Sequence, residues 1–125
     1  MQEILGASVL SLLDPAARTA TVNGSAADIL DYESFAAAIL QSAAGTGTTP
    51  TLDVKLQDSA DGSTGWADIA GAAFAQVGNA AASAQVLKFN ASAVRRYIRA
   101  VATVGGTTPS FTCGVFFVGK KQIVP

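Results

Sequence analysis

The chain has 125 residues and a mass of 12.6 kDa, which predicts a single domain over residues 1–125 that is large enough to fold without a metal or a disulfide. Histidine is absent, cysteine and methionine occur once each, and charged residues make up only 14% of the chain. Because side chains for acid/base, nucleophilic and metal chemistry are scarce, composition argues against an enzyme. We expect no catalytic residues, no cofactor and no metal site.

The net charge of −1 hides a segregation along the chain, because all nine acids lie in residues 1–68 and six of the eight bases lie in residues 69–125. A basic half is one signal of nucleic-acid binding. The bases are spaced among strand-like apolar residues, however, which favours an antiparallel sheet that interleaves the two halves. We therefore expect no nucleic-acid partner.

No targeting signal or membrane span is predicted. Glu3 stands where a signal peptide needs positive charge, and no run approaches the ~20 apolar residues of a spanning helix. We expect a protein made in a cytoplasm, with no membrane partner. The lone Cys113 lies in an apolar segment, which predicts a buried and unreactive thiol.

The clearest strand candidates lie in the middle and in the last third of the chain. Residues 51–58 alternate apolar and polar side chains, which predicts a half-buried antiparallel strand. Residues 96–104 and 111–118 are apolar on both faces, which predicts central strands covered on two sides. Weaker strand candidates are residues 17–22, 32–40, 73–77 and 85–89. Turn signals every 8–12 residues or so are typical of an all-β antiparallel sandwich or a small jelly-roll-like barrel.

Two alanine-rich windows, residues 35–40 and 80–85, have high helix propensity, but both are too short to form stable helices. Asn90 is expected to cap one helical turn before the strand at residues 96–104.

The sequence Gly47-Thr-Thr-Pro50 recurs 59 residues later as Gly106-Thr-Thr-Pro109. A strand candidate precedes and follows each copy. Glycine permits the positive φ that a chain reversal requires, and proline fixes φ where the returning strand would start. The repeat therefore predicts two similar hairpins, one in each sheet.

The polar loop at residues 57–66 ends in the only tryptophan, Trp66. It lacks the leading carboxylate and the final glutamate of a calcium-binding EF-hand loop. An Asp61-Gly62 turn covered by Trp66 fits better. Asp58, Asp61 and Asp68 could be considered as paired carboxylates of a glycosidase, but two of them lie in a Gly/Ser loop that should be solvated, which does not suit that chemistry. Stacking of Trp66 on a carbohydrate is the more plausible functional alternative. Side chains along the strand at residues 96–104 alternate between the two sides of the sheet. This alternation places Arg99 on a sheet face near Asp53 or Lys55 of another strand, where we expect it to be a cross-strand ion-pair partner.

Residues 49–66 and 95–112 resemble the small β-rich head proteins of tailed bacteriophages, some of which are capsid decoration (cement) proteins. The resemblance covers residues 17–119, and Gly65 before Trp66 departs from the pattern. It implies a homotrimer that is made in the cytoplasm of a bacterial host. It also implies a place on the capsid surface of the virion, bound to a major capsid protein of HK97 type. The alternative is a carbohydrate-binding module of a phage tail or fibre.

The amino-terminal stretch is too apolar to leave in water. Residues 1–14 therefore form either the first strand or an arm that binds the capsid. The expected partner-binding residues are Ile4, Leu5, Val9, Leu10, Leu12, Leu13 and Trp66.

Overall fold

A computed structural model describes residues 7–121, and over this range the chain forms an all-β, antiparallel structure. The predicted fold class is therefore confirmed. The strands are β1 Ala7–Arg18, β2 Val22–Asn23, β3 Ala27–Asp28, β4 Tyr32–Ser42, β5 Thr46–Ser59, β6 Ala67–Ala73, β7 Ser83–Asn90 and β8 Tyr97–Lys121.

The 25-residue strand β8 organises the fold because it runs through both layers. Its second half, residues 111–121, lies between β1 and β4, and β7 pairs with the other side of β4. We call this layer the first sheet. The first half of β8 lies between β5 and the short strands β2 and β3, with β6 on the far side of β5. We call this layer the second sheet.

The core lies between the two sheets. Leu40, Phe111 and Phe117 are fully buried from the first sheet, and Leu52 and Ile98 are fully buried from the second. Alternation explains this burial, because every second residue of a strand points to the same side. Three fully buried alanines add little volume and let the layers approach closely: Ala38, Ala100 and Ala102.

The two Gly-Thr-Thr-Pro motifs do not form the expected hairpins. Each motif carries the chain from one sheet to the other, and the two crossings pair with each other, with Thr48 opposite Thr107. β4 therefore pairs with the second half of β8, and β5 pairs with the first half. The pairing satisfies backbone groups of both crossings at once.

The two crossings nevertheless have equivalent backbones. Gly47 and Gly106 have φ angles of 104° and 110°, and Thr49 and Thr108 both have φ of 46°. Each of these two threonine hydroxyls donates to the preceding carbonyl at 2.8 Å. The sequence repeat is thus also a structural repeat.

Most of the predicted strands are present. β5 contains residues 51–58, and residues 96–104 and 111–118 prove to be two halves of one strand. Residues 32–40 and 85–89 lie in β4 and β7.

Two weaker candidates, residues 17–22 and 73–77, are wrong as continuous strands. Residues 17–22 contain the crossing from β1 in the first sheet to β2 in the second. Of residues 73–77, Ala73 ends β6, and residues 74–77 run beside β5 with only an isolated bridge between Leu52 and Val77. The expected turn is a 3-10 turn at Ala91–Ala93, in which the Asn90 side chain accepts from the Ser92 N–H at 2.8 Å.

The fold interleaves the acidic and basic halves of the chain, as expected. Arg96 pairs with Asp28 at 2.8 Å, and Arg95 pairs with Asp58 at 2.9 Å. The hydrogen bond from Arg96 is the main cause that lowers the pKa of Asp28. The basic side chains at these positions therefore serve contacts within the chain rather than one basic patch.

Candidate functional site

The outer side of the first sheet carries an apolar surface. Strand register places Val9, Val118, Ala37 and Lys88 in one row across β1, β8, β4 and β7. A second row, two residues further along β4, contains Ser11, Phe116, Ile39 and Val86. Phe35 and Lys120 lie beside the first row, at the end of the surface that contains residues 7 and 121. We call this surface the apolar face.

Large side chains of the apolar face are exposed to water. Phe35 is 91% exposed, Val9 63% and Val86 62%, and Ile39, Phe116 and Val118 are half-buried. Four strands about 4.8 Å apart and about seven residues long span roughly 400 Å² of sheet, and Ser11, Lys88 and Lys120 occupy part of that area. Exposed large apolar side chains grouped in this way often mark a protein-binding surface.

The outer side of the second sheet is polar by contrast. Its outward side chains include Asp53, Lys55, Gln57, Arg99 and Thr103. Several are tied to neighbours: Lys55 pairs with Asp68 at 3.0 Å, and Asp53 accepts from Gln76 at 3.1 Å. The two outer surfaces therefore differ in chemistry, and the first sheet alone offers a broad apolar one.

Of the residues that form the apolar face, only Val9 was among the predicted partner-binding residues. One sequence pattern did point to this face: residues 111–118 are apolar on both sides. From that pattern we expected other parts of the chain to cover both sides of the strand. The structure corrects it, because within residues 7–121 only the core side of this half of β8 is covered by another layer. The other side forms the centre of the apolar face.

The predicted partner-binding residues fall in different environments. Leu12 and Leu13 are buried in the core and are not accessible to a partner, because a register shift in β1 turns both inward. Leu10 is half-buried against the core, and Val9 belongs to the apolar face. Ile4 and Leu5 lie outside the described residues.

Trp66 is half-buried beside the polar loop. The Arg99 guanidinium lies over its ring, 4.4 Å from the centroid, and donates to the Gln57 side-chain oxygen at 2.8 and 3.0 Å. The expected ion pair of Arg99 with Asp53 is therefore not formed, because Gln57 and Trp66 hold the guanidinium instead. One face of the indole is occupied by this contact.

The expected turn at Asp61 and Gly62 is present. Asp61 accepts from the N–H groups of Thr64 and Ser63, both at 2.9 Å, and from the Thr64 hydroxyl at 2.8 Å. These bonds stabilise the charged carboxylate and hold the pKa of Asp61 well below its usual range. Gly62 has a φ of 77°, in the left-handed region. The carboxylate thus stabilises the loop itself.

Other chemistry-bearing groups add no second site in the described part of the chain. Cys113 is buried, and its burial raises the pKa of the thiol. Residues 7–121 contain no cluster of three metal-ligating side chains. Within the same range, no helix is long and apolar enough to span a bilayer.

Comparison with known proteins identifies the fold. No family model and no curated protein matches the sequence. The crystal structure of the SPBc2 prophage-derived protein YomS aligns with a TM-score of 0.51 and 8% identity, over 90% of this chain and 91% of that one. A chain of infectious bursal disease virus, Gx strain, aligns with a TM-score of 0.50 and 13% identity, over 90% of this chain and 31% of that one.

A third similar structure is the cellulose-specific carbohydrate-binding module CBM28, with a TM-score of 0.44 and 11% identity over 93% of this chain and 73% of that one. At identities this low, the first two likenesses show a shared fold, and the third is too distant to support an argument. The fold of this chain thus occurs in a prophage-derived protein and in part of a viral chain.

Proposed function

We propose that the protein is a structural component of a tailed-phage virion, a capsid decoration (cement) protein. It binds the outer surface of an icosahedral head as a homotrimer and links neighbouring subunits of an HK97-type major capsid protein. The observation that carries this proposal is the apolar face, a surface suited to permanent contact on a chain poor in chemically reactive side chains. The resemblance of residues 49–66 and 95–112 to phage head proteins supports the same assignment.

The size of the face fits binding to a repetitive shell. A stable pairwise interface buries about 800 Å² on each partner, and the apolar face provides roughly half of that by the strand spacing above. One contact alone would therefore be weak. A homo-oligomer on an ordered lattice makes several such contacts at once, and linked contacts raise the overall affinity by orders of magnitude.

Co-sedimentation with purified capsid shells, stripped of other proteins, tests the proposal. We expect the full chain to bind assembled shells and not unassembled capsid protein. Val86→Lys places a charge on the apolar face at an exposed edge-strand position and should weaken binding about tenfold or more. Ala70→Lys is the matched control, because it adds the same charge to β6 at the edge of the second sheet.

Shells that never retain the wild-type protein, at any salt concentration, would refute the decoration role. Equal loss of binding in Val86→Lys and Ala70→Lys would refute the apolar face as the contact surface.

The carbohydrate-binding alternative depends on Trp66. It receives less support, because Arg99 occupies one face of the indole. A strong glycan-array signal that disappears in Trp66→Ala would replace the decoration proposal with this one.

A further inference from the structure

The first sheet of one copy ends in two edge strands, β1 and β7, and neither has a second partner strand within residues 7–121. Backbone N–H and C=O groups along such an edge can pair with a strand of another chain. We call residues 7–11 of β1 and residues 86–90 of β7 the open edges. In the described part of the chain, no backbone hydrogen bond outside the sheet ladders reaches either stretch.

Contacts within the chain limit the length of both open edges. Gly24 lies against the Leu12 carbonyl, directly after the open edge of β1. The Gln85 side chain accepts from the Ala75 N–H at 2.8 Å and donates to the Ala75 carbonyl at 2.9 Å, directly before the open edge of β7. The chain therefore leaves a short stretch of each edge strand open rather than the whole strand.

The two open edges lie at the same height along the sheet and run in opposite directions. Each neighbouring pair in the order β1, β8, β4 and β7 is antiparallel, so β1 runs opposite to β7. The rows of the register connect Val9 with Lys88 and Leu10 with Leu87 across the sheet. A second copy placed beside the first in the same orientation therefore brings its open β1 edge against the open β7 edge of the first, antiparallel and in register.

We propose that the open edge of β7 pairs with the open edge of β1 of a second copy, so that the first sheet continues from one copy to the next. Val9 of the second copy then lies opposite Lys88 and diagonal to Val86. These two valines are 63% and 62% exposed in a single copy, and the contact shields both. On the core side, Leu10 lies opposite Leu87, and each is only half-buried in a single copy.

The charges and the number of edges favour β7 with β1 over a pairing of like strands. The open edge of β1 carries no charged side chain, and that of β7 carries one, Lys88. Two β7 edges paired antiparallel would place two copies of Lys88 on the same side of the joined sheet, and like charges on paired strands are destabilising. Two β1 edges paired with each other would leave both β7 edges open. The pairing of β7 with β1 closes both edges of every copy.

This inference rests on the proposed function only for the number of copies, which that function sets at three. A contact between two different surfaces can close into a ring, which is the symmetry that a trimer needs. The contact takes up the two borders of the apolar face and does not itself cover its centre, around Ile39, Phe116 and Val118.

Disulfide trapping of the full chain tests the contact. In the double variant Val9→Cys with Lys88→Cys, the new thiols of one copy are three strand spacings apart, about 14 Å, so they cannot bond to each other within the chain. Across the proposed contact, their Cα atoms would lie about 4.5–5.5 Å apart, which suits a disulfide. Oxidised glutathione should therefore link the copies covalently, and a non-reducing gel should show oligomers no larger than a trimer.

The single variants are the matched controls. Val9→Cys alone links copies only if two β1 edges meet, and Lys88→Cys alone only if two β7 edges meet. We expect the double variant to link about tenfold faster or more than either single variant. The buried Cys113 is present in all of them, and the wild type measures its contribution. A double variant that stays unlinked, or that links no faster than a single variant, would overturn the inference.

Sedimentation equilibrium without oxidant gives a second measurement, with 12.6 kDa as the mass of one copy. Val9→Lys should weaken association about tenfold or more, because it places two lysines directly opposite each other. Adding Lys88→Glu should restore association by making that pair opposite in charge. Leu30→Lys is the control, because it adds the same charge at a residue 58% exposed in the loop between β3 and β4. Thermal unfolding of each reduced variant checks that the fold is intact.

The result separates this inference from the decoration proposal. Copies that link through the double variant while the wild type never binds shells refute the decoration role alone. A wild type that co-sediments with shells while the double variant stays unlinked refutes the contact alone.

Discussion

Replacing Gly47 by alanine tests the structural role of the repeated motif. The residue has a φ of 104°, and a Cβ added to it would lie 2.4 Å from the Thr108 carbonyl oxygen and 2.7 Å from that of Thr107. Both of those atoms belong to the backbone of the other crossing. A rotamer change cannot remove the clash, so one crossing would have to move away from the other.

The magnitude follows from two separate costs. A positive φ costs an L-residue about 1–2 kcal/mol, and Gly71→Ala measures this cost alone because its φ is 75° and no atom lies within 4 Å of the added Cβ. The contact with backbone atoms adds to it in Gly47→Ala. We expect about 1–2 kcal/mol for Gly71→Ala and about 3–5 kcal/mol for Gly47→Ala, the range of severe single substitutions.

Urea unfolding followed by circular dichroism gives the free energy of unfolding of each variant. Gly106→Ala should cost about as much as Gly47→Ala, because its Cβ would lie 2.7 Å from the Thr49 carbonyl oxygen with φ at 110°. Gly78→Ala should cost little, because the nearest atom to its Cβ is 3.8 Å away. If Gly47→Ala and Gly71→Ala destabilise the protein equally, the paired crossings do not limit stability and the reasoning is wrong.

Three further predictions concern the rest of the fold. The lowered pKa of Asp61 means that its charged carboxylate stabilises the fold above the ordinary pKa near 3.8, and that this stabilisation is lost as the pH falls further. Asp61→Asn lacks this contribution, whereas Asp31→Asn keeps it. Between about pH 7 and pH 2, the urea midpoint should therefore fall less steeply for Asp61→Asn than for Asp31→Asn. Gln85→Ala removes two bonds to the Ala75 backbone, at 2.8 and 2.9 Å, so it should cost about 1–3 kcal/mol and speed exchange of the Ala75 amide proton. Phe111→Ala empties a fully buried site and should cost about 3–5 kcal/mol in the same urea assay, and a loss below about 1 kcal/mol would contradict its place in the core.

Local patterns were sufficient to predict β5 and the polar turn. The alternation in residues 51–58 identified β5, and the Asp61-Gly62 pair identified a turn whose hydrogen bonds the structure contains. In both cases the residues that determine the structure are neighbours in sequence. The pairing of Thr48 with Thr107 was not predictable in this way, because it joins segments 59 residues apart and two identical motifs carry no information about which strands they align.

The candidate site was harder to predict for a related reason. The double-sided apolar pattern of residues 111–118 showed that two surfaces needed cover, but a pattern does not say whether the chain or a partner supplies it. Phe35 and Val86 join that surface only through strand register, since they come from β4 and β7. Trp66 and the amino-terminal leucines were more conspicuous in the sequence, and folding places Trp66 beside Arg99 and buries Leu12 and Leu13.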